Sequence, residues 1–280
     1  MAKKVCIDAG HYGKYNQSPV MKSYYESDMT WKLHNYLADE LKKWGVTVVK
    51  TRTSQAIDKE LVSRGKCSSG CDLFISVHSN AASSEAPNYA LCIYMRDNKA
   101  ETYDDKSKDI ATKLAKVIGD TMGVGNKTYC KEYVGDRDGN GKWDDEWYGV
   151  LQGAKLVKTP GIIAEHGFHT NLADTKWLSS DKNLQKLAVA EAKCIANWLG
   201  IKSKPVKTTY VVQAGAFSSK TTANKKATAI KADGFDAYVK SEDNLFKVQC
   251  GAFTTKKYAT ELVAKLQKAG YSAYVKVVKA

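Results

Sequence analysis

The sequence predicts an α/β protein, a mostly parallel twisted sheet with helices on both faces, followed by a small α+β unit. Three observations lead there. Short apolar runs end in polar residues: Val5–Gly10 before His11, Leu73–Val77 before His78, and Gly161–Ala164 before Glu165. Such runs have the form of buried parallel strands that deliver a side chain at their C-terminal ends. Amphipathic helical stretches alternate with them, as helices packed on both faces of a sheet require. The chain then closes with an internal repeat at an offset of 36 residues.

The elements follow in order. Glu26 stands just before an amphipathic helix with Trp31, Leu33, Leu37, Leu41 and Trp44 on its apolar side and Gly45 as its stop. Val46–Lys50 reads as a strand, Ala56–Cys67 as a helix, and Leu73–Val77 and Tyr89–Met95 as strands. Asp105–Met122 is a second amphipathic helix ending near Gly123, and Leu156–Ala164 leads into the strand before Glu165. Lys182–Leu199 is the closing helix, stopped by Gly200. Ile201–Thr208 is polar, Lys-bearing and holds Pro205, which marks a linker. The expected domains are therefore 1–200 and 209–280.

In the second domain Tyr210-Val-Val-Gln213-Ala-Gly215-Ala216-Phe217 recurs as Phe246-Lys-Val-Gln249-Cys-Gly251-Ala252-Phe253. Gly234-Phe-Asp-Ala-Tyr238-Val-Lys recurs as Gly270-Tyr-Ser-Ala-Tyr274-Val-Lys. Each unit reads as strand, helix, strand. Two units give βαββαβ, a ferredoxin-like arrangement, and are too few for a solenoid.

Bulk properties exclude several classes. No run of 18 apolar residues exists, so no membrane span is expected. The N-terminus enters a strand pattern at Lys4 without the apolar stretch of a signal peptide, so synthesis in the cytoplasm is expected. Seven cysteines are too few and too scattered for a disulfide scaffold. Cys6, Cys92 and Cys194 read as small core residues, and Cys67 and Cys71 as free thiols at a helix end. Residues 201–280 hold 15 Lys, no Arg and 5 acids, a net +10 of the chain's +13. That asymmetry points to a polyanion or to a solvated surface.

Ligands of open α/β sheets bind outside the carboxyl ends of the strands. His11, His78, Glu165 and Glu26 gather there by expectation. Two His and two Glu suit a catalytic zinc with three protein ligands, an open position and a spare carboxylate for proton transfer. A single His after a strand is ordinarily structural; it is the set of four that carries the reading. His34, inside the first helix, reads as structural.

These residues carry a resemblance. Asp8-Ala-Gly-His11, Glu26 before a helix, Asp72-Leu-Phe-Ile-Ser-Val-His78-Ser-Asn80 and Glu165-His-Gly-Phe168-His-Thr-Asn171 resemble the zinc-dependent N-acetylmuramoyl-L-alanine amidases of the amidase 3 family over about residues 3–200. The resemblance implies zinc on His11, Glu26 and His78, catalysis by Glu165, and cleavage between the lactyl group of N-acetylmuramic acid and L-alanine in peptidoglycan. Asn80 becomes a candidate for orienting a ligand or binding substrate. Two departures stand out: Tyr12 follows His11 where the family often has Gly, and His166 and His169 replace residues that are often apolar. Tyr12 is positioned to narrow the site or stack on sugar; the two His are local hydrogen-bonding groups or an alternative ligand.

The repeat resembles the SPOR domain of cell-wall enzymes over about residues 208–278. That implies glycan-strand binding, with Gln213, Phe217, Gln249, Phe253, Tyr238 and Tyr274 as the candidate surface; core packing is the other reading of the Phe residues. Nucleic acid is the runner-up ligand of this part, but the chain lacks the aromatic-rich RNP1 signature and the tail has no Arg. Asp136-Arg-Asp138-Gly-Asn140-Gly141 resembles the start of an EF-hand loop, with Trp147 at the twelfth position where a ligating Glu belongs. Calcium on Asp136, Asp138 and Asn140 and a plain polar surface loop are the two readings. The expected whole is a peptidoglycan amidase, a phage or prophage endolysin that reaches the wall after holin-type release or cell lysis. The alternatives are a mother-cell lysis amidase or other autolysin, a non-enzymatic wall or polyanion binder, and a cysteine peptidase using Cys6 or Cys250.

Overall fold

The structure, a computed structural model, describes residues 2–95, 102–131, 136, 141, 145–203 and 208–279. The chain divides into two compact units, Met1–Lys204 and Pro205–Ala280. Residues 204–207 of the expected linker lie outside the described residues.

The first unit is built on a six-stranded sheet: β1 (Lys4–Ala9), β2 (Thr47–Lys50), β3 (Leu73–Asn80), β4 (Tyr89–Tyr94), β5 (Gly125–Tyr129) and β6 (Gly161–Phe168), in the order β2-β1-β3-β6-β4-β5. The pairs from β2 to β6 are parallel, β4 runs antiparallel to β6, and β5 is parallel to β4. The helices are α1 (Glu26–Lys43), α2 (Leu61–Lys66), α3 (Thr102–Met122), α4 (Gly149–Leu156), α5 (Leu172–Leu178) and α6 (Asp181–Trp198).

Strand alternation feeds two cores. Val5, Ile7, Leu73, Ile75, Val77, Ile162 and Ala164 pack under α1, α3 and α6. Cys6, Phe74, Ile93 and Ile163 face the other way and pack with Val150, Leu151 and Ala154 of α4. Both faces are covered, which is why the strands read as continuous apolar runs rather than as alternating ones.

Several boundaries differ from expectation. The helix expected over Ala56–Cys67 is confined to Leu61–Lys66, because Glu60 caps it by accepting from Val62 N and Ser63 N. β5, α4 and α5 were not foreseen. β5 reads Gly-Asn-Lys-Thr-Tyr and is exposed throughout, so it has no apolar pattern and pairs only because β4 offers an edge.

The second unit comprises β7 (Thr208–Phe217), α7 (Lys220–Ala232), β8 (Tyr238–Glu242), β9 (Leu245–Phe253), α8 (Lys256–Lys268) and β10 (Tyr274–Lys279). Its antiparallel sheet has the order β10-β7-β9-β8. Val212, Ala214, Val248 and Cys250 meet Ala223, Ile230, Ala259 and Leu266 of the helices in one core. This is the expected βαββαβ arrangement.

Candidate active site

The site forms where β1, β3 and β6 meet the start of α1. His11 lies two residues past β1 in a left-handed conformation, φ 59°. Gly10 N donates to Val77 O (2.9 Å), and Thr30 Oγ1 of α1 donates to Gly10 O (2.7 Å). A Cβ on Gly10 would fall 2.4 Å from Cε1 of His78, so only glycine leaves room for that ring. Glu26 is the first residue of α1 and is buried.

His78 and Glu165 were expected to follow their strands. They lie inside them, as register partners of the parallel β3–β6 pair, and the register shifts between His78 and Asn80. Pairing continues past each apolar run because the β3 and β6 backbones keep bonding at the polar end of the sheet. Register partners project to the same face, so the imidazole and the carboxyl emerge side by side.

Glu26 joins the two histidines. Its Oε2 is 3.1 Å from His11 Nε2 and its Oε1 2.9 Å from His78 Nδ1. Asn16 Nδ2 donates to Glu26 Oε2 (2.7 Å) and Ser79 N to Oε1 (3.0 Å). Burial works against the Glu26 charge, but hydrogen bonds from His11 and His78 outweigh it and hold the carboxyl well below the usual range. One donor atom from each of the three lies within 4.8 Å of the others. Two imidazole nitrogens and one carboxylate, converging beside a cleft, form a donor set that fits zinc with a position left open.

A buried chain orients His78. Its Nε2 is 3.1 Å from Ser76 Oγ, and Ser76 Oγ donates to Asp8 Oδ2 at 2.8 Å. With the serine proton committed to Asp8, Ser76 can accept from Nε2–H, and Nδ1 is the nitrogen turned toward Glu26 and the donor cluster. Thr51 Oγ1 also donates to Asp8, and Arg64 lies 3.7 Å from it. Asp8, Ser76 and Asn16 escaped the sequence reading. For the first two a signal existed: both share the strand face of the histidine, Ser76 two residues before it and Asp8 as its register partner.

Glu165 is half-buried, and its shielded Oε2 has no hydrogen-bond partner. Burial pushes its carboxyl well above the ordinary range, and the nearby Glu26 charge adds to the shift. A carboxyl poised this way beside a metal-type donor set suits general acid–base work. His11, His78 and Glu165 line a cleft of about 980 Å³ together with Tyr12, Tyr15, Lys59, Trp147 and Tyr148, among others.

The remaining candidates fall elsewhere. Asn80 does not line the cleft; its Oδ1 accepts from Ala81 N and its carbonyl from His169 N. His166 is fully buried between Glu191 Oε1 (3.1 Å) and the His78 carbonyl (2.9 Å). His169 Nδ1 donates to Ser79 O (2.9 Å), and neither His joins the donor cluster. His34 is buried, with Nδ1 on the Trp31 carbonyl. Cys6 and Cys250 are buried in separate cores, and hydrogen bonding with Cys71 and burial for the first, burial for the second, push their thiols up, away from nucleophile chemistry. Asp136 Oδ2 accepts from Gly141 N (2.8 Å), whereas Asp138 and Asn140 lie outside the described residues.

In the second unit Tyr274, Gln213, Gln249 and Tyr238 are successive register partners across all four strands. They share the face opposite the helices, and Tyr238 Oη donates to Gln249 Oε1 (2.8 Å). Phe217 and Phe253 instead pack against the core beneath the helices.

Fold and site together define an α/β protein with a histidine–glutamate cradle at its strand ends. The family model of N-acetylmuramoyl-L-alanine amidases matches residues 5–197, and that of the SPOR domain residues 206–277. The chain belongs to the N-acetylmuramoyl-L-alanine amidase family, which makes it a peptidoglycan amidase, and it carries a C-terminal SPOR domain. It is 29% identical over 247 residues to the N-acetylmuramoyl-L-alanine amidase CwlM of Bacillus licheniformis, covering 86% of each chain. The catalytic domain of the amidase CwlV from Bacillus (Paenibacillus) polymyxa var. colistinus superposes with a TM-score of 0.57 at 22% identity, over 71% of this chain and 99% of that one. An N-acetylmuramoyl-L-alanine amidase from Clostridium difficile 630 gives 0.58 at 23%, over 72% and 99%. These two structures speak for the fold.

Proposed function

We propose that the protein hydrolyses the amide between the lactyl group of N-acetylmuramic acid and L-alanine, with zinc held by His11, Glu26 and His78 and with Glu165 moving the proton. The observation that supports it most is Glu165 itself, a carboxyl with a buried unpartnered oxygen, in register with His78. Zinc held by these residues supplies Lewis acidity to the lactyl carbonyl and the attacking water. Glu165 accepts the proton that water loses and returns it to the alanine nitrogen as the C–N bond breaks. A lactyl carboxylate and a free amino group leave. The raised pKa of Glu165 suits both halves of that transfer near neutral pH.

In this reading residues 1–200 are catalytic and 209–280 bind the wall, with the Tyr274–Gln213–Gln249–Tyr238 row as the glycan surface. No helix among the described residues is long and apolar enough to cross a membrane. The setting we favour is lysis from within by an endolysin. A second setting, mother-cell lysis, is supported by 31% identity over 84 residues to a sporulation-specific N-acetylmuramoyl-L-alanine amidase of Bacillus subtilis, covering 30% of this chain and 33% of that one. Expression timing separates them: prophage induction for the first, sporulation for the second.

The test of the chemistry is release of amino groups from purified peptidoglycan, with L-alanine as the new N-terminus. Glu165→Ala is expected to lower the rate at least about 100-fold, and zinc removal to abolish it until zinc is restored. Full activity in Glu165→Ala would remove the carboxyl from the mechanism, and a silent wild type on several wall types would favour a wall binder.

A further inference from the structure

We infer that Tyr12 and Tyr15 form a saccharide subsite on the glycan side of the scissile bond, Tyr15 taking the pyranose that bears the lactyl arm and Tyr12 the next pyranose of the strand. The inference rests on the amidase reading and adds to it the requirement for an extended glycan.

Among the described residues, three aromatic side chains of the cleft lie open to solvent: Tyr12 at 38%, Tyr15 at 49% and Trp147 at 41%. Grouped exposed apolar surface in a cleft marks a binding groove. Two of the three form a ladder that begins at the donor cluster. Tyr15 stacks on His11 with centroids 5.0 Å apart and planes 12° apart, and Tyr12 stacks on Tyr15 at 6.0 Å and 25°. The α2–α4 side of the cleft brings Asp58, Lys59 and Glu60 together with Trp147 and Tyr148, which are not part of this ladder.

The ladder is pinned rather than loose. Tyr15 N donates to Ser27 Oγ (2.9 Å), Ser27 Oγ donates to Gly13 O (2.9 Å), and Gly13 N donates to Gln55 O (2.9 Å). The backbone of the segment that carries the two rings is therefore tied down before any ligand arrives, which lowers the ordering cost of binding.

A pyranose has an apolar C–H face and a hydroxyl rim. It matches an aromatic ring flanked by polar groups better than a peptide stem does. The lactyl arm that joins the sugar to the scissile carbonyl is short. A carbonyl held at His11, Glu26 and His78 thus places its own sugar beside His11, where Tyr15 lies. The next ring outward is Tyr12.

The experiment compares two soluble substrates on the zinc-loaded full chain: a muramoyl peptide with one sugar, and a tetrasaccharide bearing the same peptide. The Tyr12 ring stacks on Tyr15 and not on His11, so Tyr12→Ala is the informative variant. It is expected to raise KM on the tetrasaccharide peptide roughly 3- to 10-fold, the worth of one aromatic stack. The loss on the tetrasaccharide peptide should exceed any change on the one-sugar substrate by that same factor. Tyr12→Phe keeps the ring and should restore the wild-type KM. Unchanged tetrasaccharide KM in Tyr12→Ala, or equal losses on both substrates, would overturn the subsite. If the wild type cleaves neither substrate, the amidase reading fails instead. Calorimetric binding of the tetrasaccharide peptide to Glu165→Gln then decides the subsite: affinity weakened by Tyr12→Ala sustains it, and affinity indifferent to Tyr12 overturns it.

Discussion

Ser76 stands between a metal-type imidazole and a buried carboxylate. It accepts the Nε2–H of His78 and donates to Asp8, so a single hydroxyl fixes both the ring's tautomer and its orientation. Ser76→Ala leaves Nε2–H without that acceptor. Asp8 keeps Thr51 and Arg64, so the surrounding fold should persist. The expected result is a roughly 10- to 100-fold loss of zinc affinity, read by competition with a chromophoric chelator, at near-wild-type stability. Wild-type affinity in Ser76→Ala would show that His78 is oriented by the Gly10 corner and Glu26 alone. Gly10 belongs to the same logic, since the space a Cβ would need is filled by the His78 ring.

At the scale of elements, α2 and α4 cross on two glycines. A Cβ on Gly65 would lie 2.1 Å from the Val150 carbonyl oxygen, and one on Gly153 2.1 Å from that of Val62. The helices therefore touch backbone to backbone, and no neighbouring side chain can swing aside to admit a methyl group. Gly153→Ala is expected to cost about 1–3 kcal/mol, lowering the thermal midpoint by roughly 2–12 °C; an unchanged midpoint would mean the pair separates freely. This contact also shows why legibility was uneven. The donor set and the carboxyl beside it were readable because each residue interrupts or borders an apolar pattern: His11, His78 and Glu165 end buried runs, and Glu26 opens a periodic helix. The repeat was readable because Gln213 and Gln249 recur in register-equivalent positions. α4 was not, because its sequence Gly-Val-Leu-Gln-Gly-Ala-Lys-Leu is short and takes its place from the partner's glycine. β5 was not, because an exposed edge strand is specified by its neighbour's unpaired backbone rather than by its own side chains. Phe217 and Phe253 show the same limit on one motif: an aromatic after Gly-Ala reads equally as surface or core, and packing placed both against the core.

At the scale of the whole molecule, the second unit presents two chemically different surfaces. Most of the chain's excess positive charge resides there. Lys220, Lys225, Lys231, Lys256, Lys257 and Lys268 are exposed on α7 and α8. The opposite sheet face carries the buried Gln213–Gln249 pair between exposed Tyr274 and Tyr238, and its Lys247 is spoken for by Glu242 (2.9 Å) and Asp243 (2.6 Å). Lys276 of β10 also reaches Glu242 of β8 at 3.0 Å, although these are the two edge strands. Exposed lysine charge thus concentrates on the helices, while the lysines of the sheet face, Lys240, Lys247 and Lys276, are paired with acids around its tyrosine and amide groups. Attraction of the helical lysines to an anionic wall polymer should fade as the Debye length shrinks from about 10 Å at 0.1 M salt to about 3 Å at 1 M. Hydrogen bonding and stacking on the sheet should not fade. Full-length protein is therefore expected to lose most of its extra binding to polymer-bearing walls across that range, while its binding to polymer-stripped peptidoglycan stays nearly constant. Gln213→Ala with Tyr274→Ala should remove the salt-resistant part and spare the salt-sensitive part. If the stripped wall also releases the protein at high salt, the tail is an electrostatic anchor, and the sheet row has no part in recognition.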